Sequence, residues 1–458
     1  MKHYNFLFLM ADQIRTATLE GMGDGIQTPN LCRLMDESVL FTRASCTSPL
    51  CTPSRASLAT GRYPSRCGVP IHDAVLLPEQ PTFYQALRDS GYRVGIVGKT
   101  DLHKRDIYCG VKGDLPSMYH YGFTDPVETE GKMNSAWYGT NPDGSIYPMG
   151  PYQKYLMDKD PELMRTLEKD YRSYMRQKPR YYAQPSVLPD EVFLDTFIGE
   201  KSLEWLNEHD NTGAPWHLTV SFAGPHNPWD PPKEDYDAVG DTLWPDPIPN
   251  DMEGKPAWIR RRAAQQTGGM TQADLQQVKR CYAGSVRVID RWIGKLLDWL
   301  ETSGHKDDTI VIFCADHGEL LGDHGLLEKS CMYEGCLRIP LLVHLPGMTQ
   351  RRDSDALAEL MDLAPTCLEL AGADWNRREM DAVSLVPVLN GSTEPLRPVQ
   401  RSELHNCTML FDGRYKWIRS YNDTDELYDL ETDPQELHNV INEHPEVLNR
   451  MRPYSFRH

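Results

Sequence analysis

Four short apolar runs stand out along the chain: Phe6–Met10 (FLFLM), Val94–Val97 (VGIV), His217–Phe222 (HLTVSF) and Thr309–Cys314 (TIVIFC). Each is four to six residues long and rich in β-forming residues, which predicts buried strands of a parallel sheet. Helical patterns lie between them. In the clearest, Val286, Ile289, Ile293, Leu296 and Leu300 follow one another at intervals of 3, 4, 3 and 4, one apolar face of an α-helix. Strands alternating with helices predict an α/β domain around a large, mostly parallel, mixed sheet flanked by helices.

The residues after the strands change the picture. Asp12 and Gln13 follow the first run, Lys99 the second, His226 the third, and Asp316 and His317 the fourth. Open α/β sheets bind ligands beyond the carboxyl ends of their strands, so four distant segments would deliver acids, a lysine and histidines to one rim. One such aspartate is an ordinary helix cap; four deliveries together are a site. Residues 100–190 read as an insertion. They hold 11 of the 22 tyrosines, which predicts a loop-rich excursion packing aromatics on itself or a wall of the substrate pocket. After Gly391 the pattern shortens to alternating segments (FDGRYKWIRSY, ELYDL), which predict a small antiparallel sheet closed by a helix near Gln435 to Met451.

Length and charge narrow the class. A chain of 458 residues exceeds the ~250–300 that one core supports, so the division expected is a catalytic domain over 1–390 and a small C-terminal α+β domain over 391–458. Lys and Arg number 48 against 66 Asp and Glu, a net charge of −18. That argues against nucleic acid as a partner and leaves room for a small anionic substrate in a local positive pocket. No run approaches the ~20 apolar residues of a membrane span, and Phe6–Met10 is too short for a signal-peptide core. The eleven thinly spread cysteines suit reduced, buried thiols. Together these predict a cytoplasmic protein; the oligomeric state stays open.

The chemistry concentrates at residues 51–61, CTPSRASLATG. Pro53 suits the first position of a helix and Gly61 its end, so Cys51 would stand just before a helix N-terminus, where free N–H groups attract anions. Arg55 lies one turn on. From the residues alone Cys51 could be half of a zinc or disulfide site with Cys46, a thiol nucleophile with His226 as base, or a buried structural cysteine. The string, through Cys51, Pro53, Ser54, Arg55, Thr60 and Gly61, resembles the signature of the type I sulfatases of the alkaline phosphatase superfamily. The resemblance continues in GKTDLH (98–103), GPHNP (224–228), ADHGELLGDHG (315–325) and ELYDLETDPQELHNV (426–440). It implies hydrolysis of a sulfate monoester by a formylglycine made from Cys51, matured by a formylglycine-generating enzyme or its equivalent.

A sulfate ester needs positive charge against its nonbridging oxygens. Asp12, Gln13, Asp316 and His317, with the residue-51 side chain, offer an oxygen-rich set that suits Ca²⁺, or Mn²⁺ given the histidine. Sulfatases commonly have a second aspartate where this chain has Gln13. That departure brings in the superfamily's phosphonate monoester hydrolases as the alternative, with phosphodiesters as further substrates. By resemblance Lys99 and Arg55 contact the transferred group, and His226 and Lys329, the latter 13 residues after Asp316, stand by the leaving oxygen. The family's next histidine falls at Asp101, so His103 is its expected substitute. His72, Asp323 and His324 are further rim candidates. The substrate alcohol is a sugar, an aryl group or choline, with Trp229 and Asp230 leaning toward a sugar.

Overall fold

The computed structural model describes residues 3–103, 108–176, 181–210, 212–375 and 379–455. Eight strands build one sheet: β1 (Asn5–Ala11), β2 (Val39–Phe41), β3 (Arg93–Gly98), β4 (Asp125–Glu128), β7 (Trp216–Phe222), β8 (Thr309–Ala315), β9 (Leu341–His344) and β10 (Arg352–Ser354). The intervening β5 (Gly139–Thr140) and β6 (Ile146–Tyr147) form a separate short hairpin. The sheet order is β10-β2-β9-β8-β1-β7-β3-β4, and β9 is the antiparallel member. All positions of β1, β7 and β8 are buried, because helices cover both faces. This is why β1 and β8 are almost wholly apolar, whereas β7 alternates and buries His217, Thr219 and Ser221 on one face as well.

The predicted helix at 286–300 is the middle of a 32-residue helix, Gln272–Ser303. It begins with a capping box between Thr271 and Asp274 and stops at Gly304 in the left-handed conformation. Its buried stripe, Val286, Ile289, Ile293, Leu296 and Leu300, joins the main core, each side chain contributing about 1.5–3 kcal/mol by leaving water. The 100–190 segment is less of an excursion than its composition suggests. It supplies β4 to the edge of the main sheet, and Tyr121, Tyr152 and Tyr171 to the main core.

Near the C-terminus β11 (Gln400–Leu404), β12 (Cys407–Phe411), β13 (Tyr415–Ser420) and β14 (Glu426–Asp429) form an antiparallel sheet in sequential order. Met409, Ile418 and Tyr428 join the main core, whereas Leu410, Trp417 and Leu427 pack with Val447 and Met451. The closing helix is shorter than the sequence pattern suggests, Pro445–Met451. Asn439 explains its late start. Its side chain accepts from the Leu427 and Ile441 backbone N–H groups and donates to the Gly254 and Asp425 carbonyls, holding the chain out of a helix.

Candidate active site

The four neighbouring strands at the centre of the sheet, β8, β1, β7 and β3, all run parallel. Their carboxyl ends therefore open on one edge, and the next residues are Asp316–His317, Asp12–Gln13, the turn to His226, and Lys99. Gly98 must be glycine for this to close. Its φ is 114°, and a Cβ there would stand 2.0 Å from the Ser221 carbonyl oxygen of β7.

The helix Cys51–Thr60 points its first turn at this edge, and all ten of its residues are buried. It starts at Cys51 itself rather than just after it, so Pro53 is the third helical residue. Proline has no N–H, so it removes one of the donors that a helix start leaves unpaired. Gly61 ends the helix at φ 64°. Ser54 ties it to β8 by donating from Oγ to the Asp316 carbonyl at 2.6 Å.

Cys51 Sγ lies at the centre of the cluster. It is 3.2 Å from His317 Nε2, 3.1 Å from Lys329 Nζ and 3.8 Å from Asp12 Oδ1, and the His226 ring hydrogen-bonds it as well. His317 Nε2 is 3.8 Å from Asp12 Oδ1 and 3.7 Å from Asp316 Oδ1. One ligand atom each from Asp12, Cys51, Asp316 and His317 falls within 4.8 Å of all the others. Oxygen ligands sit about 2.3–2.6 Å from Ca²⁺, so ligands on opposite sides of the ion are roughly twice that apart. The donor set and its spacing fit one divalent cation. Gln13 directs its Oε1 toward the same place, accepting from Lys329 Nζ at 2.7 Å.

The cations are held by charge and by backbone. Arg55 Nε donates to Asp316 Oδ2 at 2.8 Å, and its Nη1 to the Lys99 carbonyl and Ser221 Oγ. Among the described residues its Nη2 has no hydrogen-bond partner, and it lies 3.5 Å from Asp12 Oδ2. Lys99 pairs with Asp12 and, at 3.1 Å, with Asp101. Burial and Cys51 push the Asp12 pKa up, but Lys99, His226 and Lys329 outweigh them and hold it well below the carboxylate range. Burial opposes the charged forms of Lys99 and Lys329, yet Asp101 and Asp12 raise the first, and Cys51 and Asp12 the second. Burial, then Lys329, depresses the His226 pKa.

The segment carrying Lys329 is built differently. Glu328 and Ser330, on either side, have φ of 64° and 71°, left-handed values that non-glycine residues adopt at a cost of about 1–3 kcal/mol each. Arg262, from the helix Ala257–Gln266, holds it by donating to the Ser330 and Leu327 carbonyls at 3.0 and 3.1 Å. Asn227, next to His226, donates to Glu328 Oε1 at 2.9 Å. The peptide bonds Gly224–Pro225 and Asn227–Pro228 around His226 are cis.

Nine of the ten residues singled out as catalytic or metal-ligating thus converge. His103 does not join the Cys51 contacts: its Nε2 meets Glu128 Oε2 at the end of β4, 2.5 Å away, while Asp101 occupies the place beside Lys99. Among the further rim candidates, Asp323 pairs with Arg15 at 2.9 Å and His324 is buried against Tyr333. His72 is a half-buried loop residue. Trp229 and Asp230 are each only 1% exposed, and Asp230 is already engaged by Lys132 at 2.7 Å and Tyr171 at 3.0 Å. The pair is therefore packing, and no sugar-binding face. Sequence reasoning missed Arg262 and Glu319. The signal for Glu319 was a further carboxylate two residues after His317, between Asp316 and Asp323.

A mainly parallel sheet whose rim gathers a helix start, a buried acid–imidazole cluster and two lysines has the charge and geometry to receive an anionic ester. The Sulfatase family model matches residues 4–373, and that of the N-sulphoglucosamine sulphohydrolase C-terminal region matches 322–452. The chain is 30% identical over 453 residues to a choline-sulfatase of Rhizobium meliloti, covering 95% of this chain and 82% of that one. It is 27% identical over 467 residues to an arylsulfatase of Clostridium perfringens, covering 98% and 92%. Among solved structures, a phosphonate monoester hydrolase from Silicibacter pomeroyi superposes with a TM-score of 0.80 at 22% identity, over 98% of this chain and 94% of that one. The chain belongs to the sulfatase family. It is a sulfuric ester hydrolase, cleaving a sulfate ester to an alcohol and sulfate. Among the described residues no helix is long and apolar enough to cross a membrane.

Proposed function

We propose that the enzyme hydrolyses small sulfate monoesters with residue 51 converted to formylglycine and with one divalent cation, Ca²⁺ by the chemistry of the ligands. The observation that carries this is the placement of Cys51 Sγ at a helix start, in contact at once with His317, Lys329 and Asp12. The hydrated aldehyde would supply an oxygen nucleophile and a second hydroxyl, which a thiol lacks. The cation supplies positive charge to the sulfate oxygens and would be held by Asp12, Gln13, Asp316, His317 and residue 51.

The remaining residues bind, orient and move protons. Arg55 and Lys99, fixed by Asp316, Ser221 and Asp101, set donors against the transferred group, preorganised before charge develops there. Lys329 and His226 flank residue 51 on the leaving-group side and hold the proton that the departing alcohol needs. Residues 1–390 make up the catalytic domain and 391–458 its small C-terminal partner. Maturation calls for a formylglycine-generating enzyme or its equivalent, and the eleven free thiols support a reducing compartment such as the cytoplasm.

Peptide mass spectrometry of active enzyme tests the core of this reading, with an aldehyde or its hydrate expected at residue 51. Full activity with an unmodified cysteine would overturn it. The choline- and arylsulfatase relatives make choline sulfate and an aryl sulfate the first substrates to assay, followed by a sulfated sugar. A second reading, phosphonate monoester or phosphodiester hydrolysis, is favoured by the Asp12–Gln13 pair and the phosphonate hydrolase neighbour. Turnover of a phosphonate monoester exceeding that of every sulfate monoester would select it.

A further inference from the structure

We propose that Glu319 is a positioning residue for the cation site: it fixes the Gln13 amide so that its oxygen, and not its NH₂, faces the site. The proposal rests on the reading of Asp12, Gln13, Asp316, His317 and residue 51 as that site. Gln13 leaves β1 with φ of 74°, and its backbone is tied down on both sides. Its N–H donates to Asp316 Oδ1 at 3.1 Å, and its carbonyl accepts from the Tyr282 hydroxyl at 3.2 Å. The side chain therefore starts from a fixed stem, and the choice left to it is which end of the amide points where.

Two neighbours make that choice. Gln13 Oε1 accepts from Lys329 Nζ at 2.7 Å, and Gln13 Nε2 donates to Glu319 Oε2. An ammonium can only donate and a carboxylate can only accept, so one amide orientation satisfies both and its flip satisfies neither. Glu319 is itself held in place. It is fully buried, and its Oε1 accepts from the backbone N–H groups of Leu321 and Glu328, at 3.0 and 2.5 Å. All three of these contacts are N–H donors, so both Glu319 oxygens stand as acceptors, one held by the backbone and the other turned to the Gln13 amide. A carboxylate behind a metal-binding imidazole orients its ligand in the same way.

Glu319→Gln turns this into a test. The Leu321 and Glu328 N–H groups claim the oxygen of the new amide at position 319, so its NH₂ faces Gln13 and drives the Gln13 amide to flip. Ca²⁺ affinity, read by competition with a chromophoric chelator, is expected to fall about 10–100-fold while the metal-free melting temperature holds. Adding Gln13→Glu to that variant exchanges carboxylate and amide at constant net charge. The carboxylate at position 13 then accepts from both neighbours, and affinity returns to within about threefold of the parent. Gln13→Glu alone sets two carboxylates face to face and is expected to weaken binding, although simple charge attraction would tighten it. This arm decides the matter if Glu319→Gln does not fold. A Glu319→Gln affinity within about threefold of the parent, a double variant no tighter than Glu319→Gln, or tighter binding by Gln13→Glu alone would each overturn the proposal. No Ca²⁺ binding by the parent would overturn the cation reading itself, and the proposal with it.

Discussion

The two sides of the site are built by different means. On the proposed cation side, Asp12, Asp316 and His317 stand within two residues of the ends of central strands, and Arg55 projects from a fully buried helix. Their positions follow from strand register, and their charges are paired with one another within the cluster. On the proposed leaving-group side, His226 lies four residues beyond its strand and Lys329 sits in a loop between two left-handed residues. Neither position is set by register. Each is held by side-chain bonds from elsewhere: Asn227 to Glu328, Glu319 to the Glu328 N–H, and Arg262 to two carbonyls. A shelf of strand ends resists small changes at a distance, whereas a strap feels the loss of any one support. Damage to the shelf should therefore affect every substrate alike, and damage to the strap should depend on how much help the leaving group needs.

Asp316→Asn is the most severe test of the shelf. Asp316 offers one atom of the proposed cation site and also pairs with Arg55 at 2.8 Å. Partners one shell out from a metal cost about 10–100-fold when removed, so loss of a direct ligand should cost more than about 100-fold in turnover. Bound metal should fall in step, as measured by elemental analysis, and aryl and alkyl sulfates should lose activity equally. Metal content unchanged in this variant would place the cation elsewhere. A much larger loss for alkyl than for aryl esters would erase the distinction between the two sides.

The same contrast explains what could be read from the chain alone. Strands β1, β3, β7 and β8 announce themselves as short runs rich in β-forming residues, and a polar residue directly after such a run has nowhere to be except the rim. Asp12, Lys99, Asp316 and His317 were legible for that reason, and Cys51 and Arg55 through the motif they share. The short β2, β4, β9 and β10 carry too few residues for a periodic signal. The strap was legible only as spacing. Nothing local tells that Lys329 is held by Arg262, 67 residues earlier, or that Glu319 bonds to Gln13, 306 residues away. Trp229 and Asp230 show the opposite failure. An aromatic–acid pair beside His226 has the composition of a sugar site, but Lys132 and Tyr171, brought in by the 100–190 segment, bury and satisfy the acid.

His226→Ala probes the strap side next. A positioned general acid is worth ~10²–10⁴-fold, and its loss matters most for a basic alkoxide. An alkyl or sugar sulfate should slow by that order, and an activated aryl sulfate, whose phenolate needs little protonation, by far less. The pH dependence carries a sign as well. Burial and Lys329 depress the His226 pKa, so its protonated form is present below that depressed value and lost as pH rises through it. Parent kcat/KM for the alkyl ester should fall along that limb, and the variant should flatten it. Equal losses on both substrates would make His226 a sulfate-binding residue and leave Lys329 as the donor.

Arg262→Lys should have the smallest effect and separate the two sides most cleanly. The planar guanidinium donates from Nη1 to the Ser330 carbonyl and from Nη2 to the Leu327 carbonyl, spanning the segment that carries Lys329. A lysine keeps the charge but reaches from a single point, so one carbonyl loses its partner. A hydrogen bond to a charged group contributes about 1.5–3 kcal/mol, and water or the remaining ammonium recovers part of it. The net effect on Lys329 placement should be roughly 3–10-fold in kcat for an alkyl sulfate, from under about 1.4 kcal/mol. Arg262 touches none of the proposed cation ligands, so Ca²⁺ affinity should not change, and aryl sulfate turnover should stay within about twofold of the parent. A matching loss of metal affinity would show that strap and shelf move as one body.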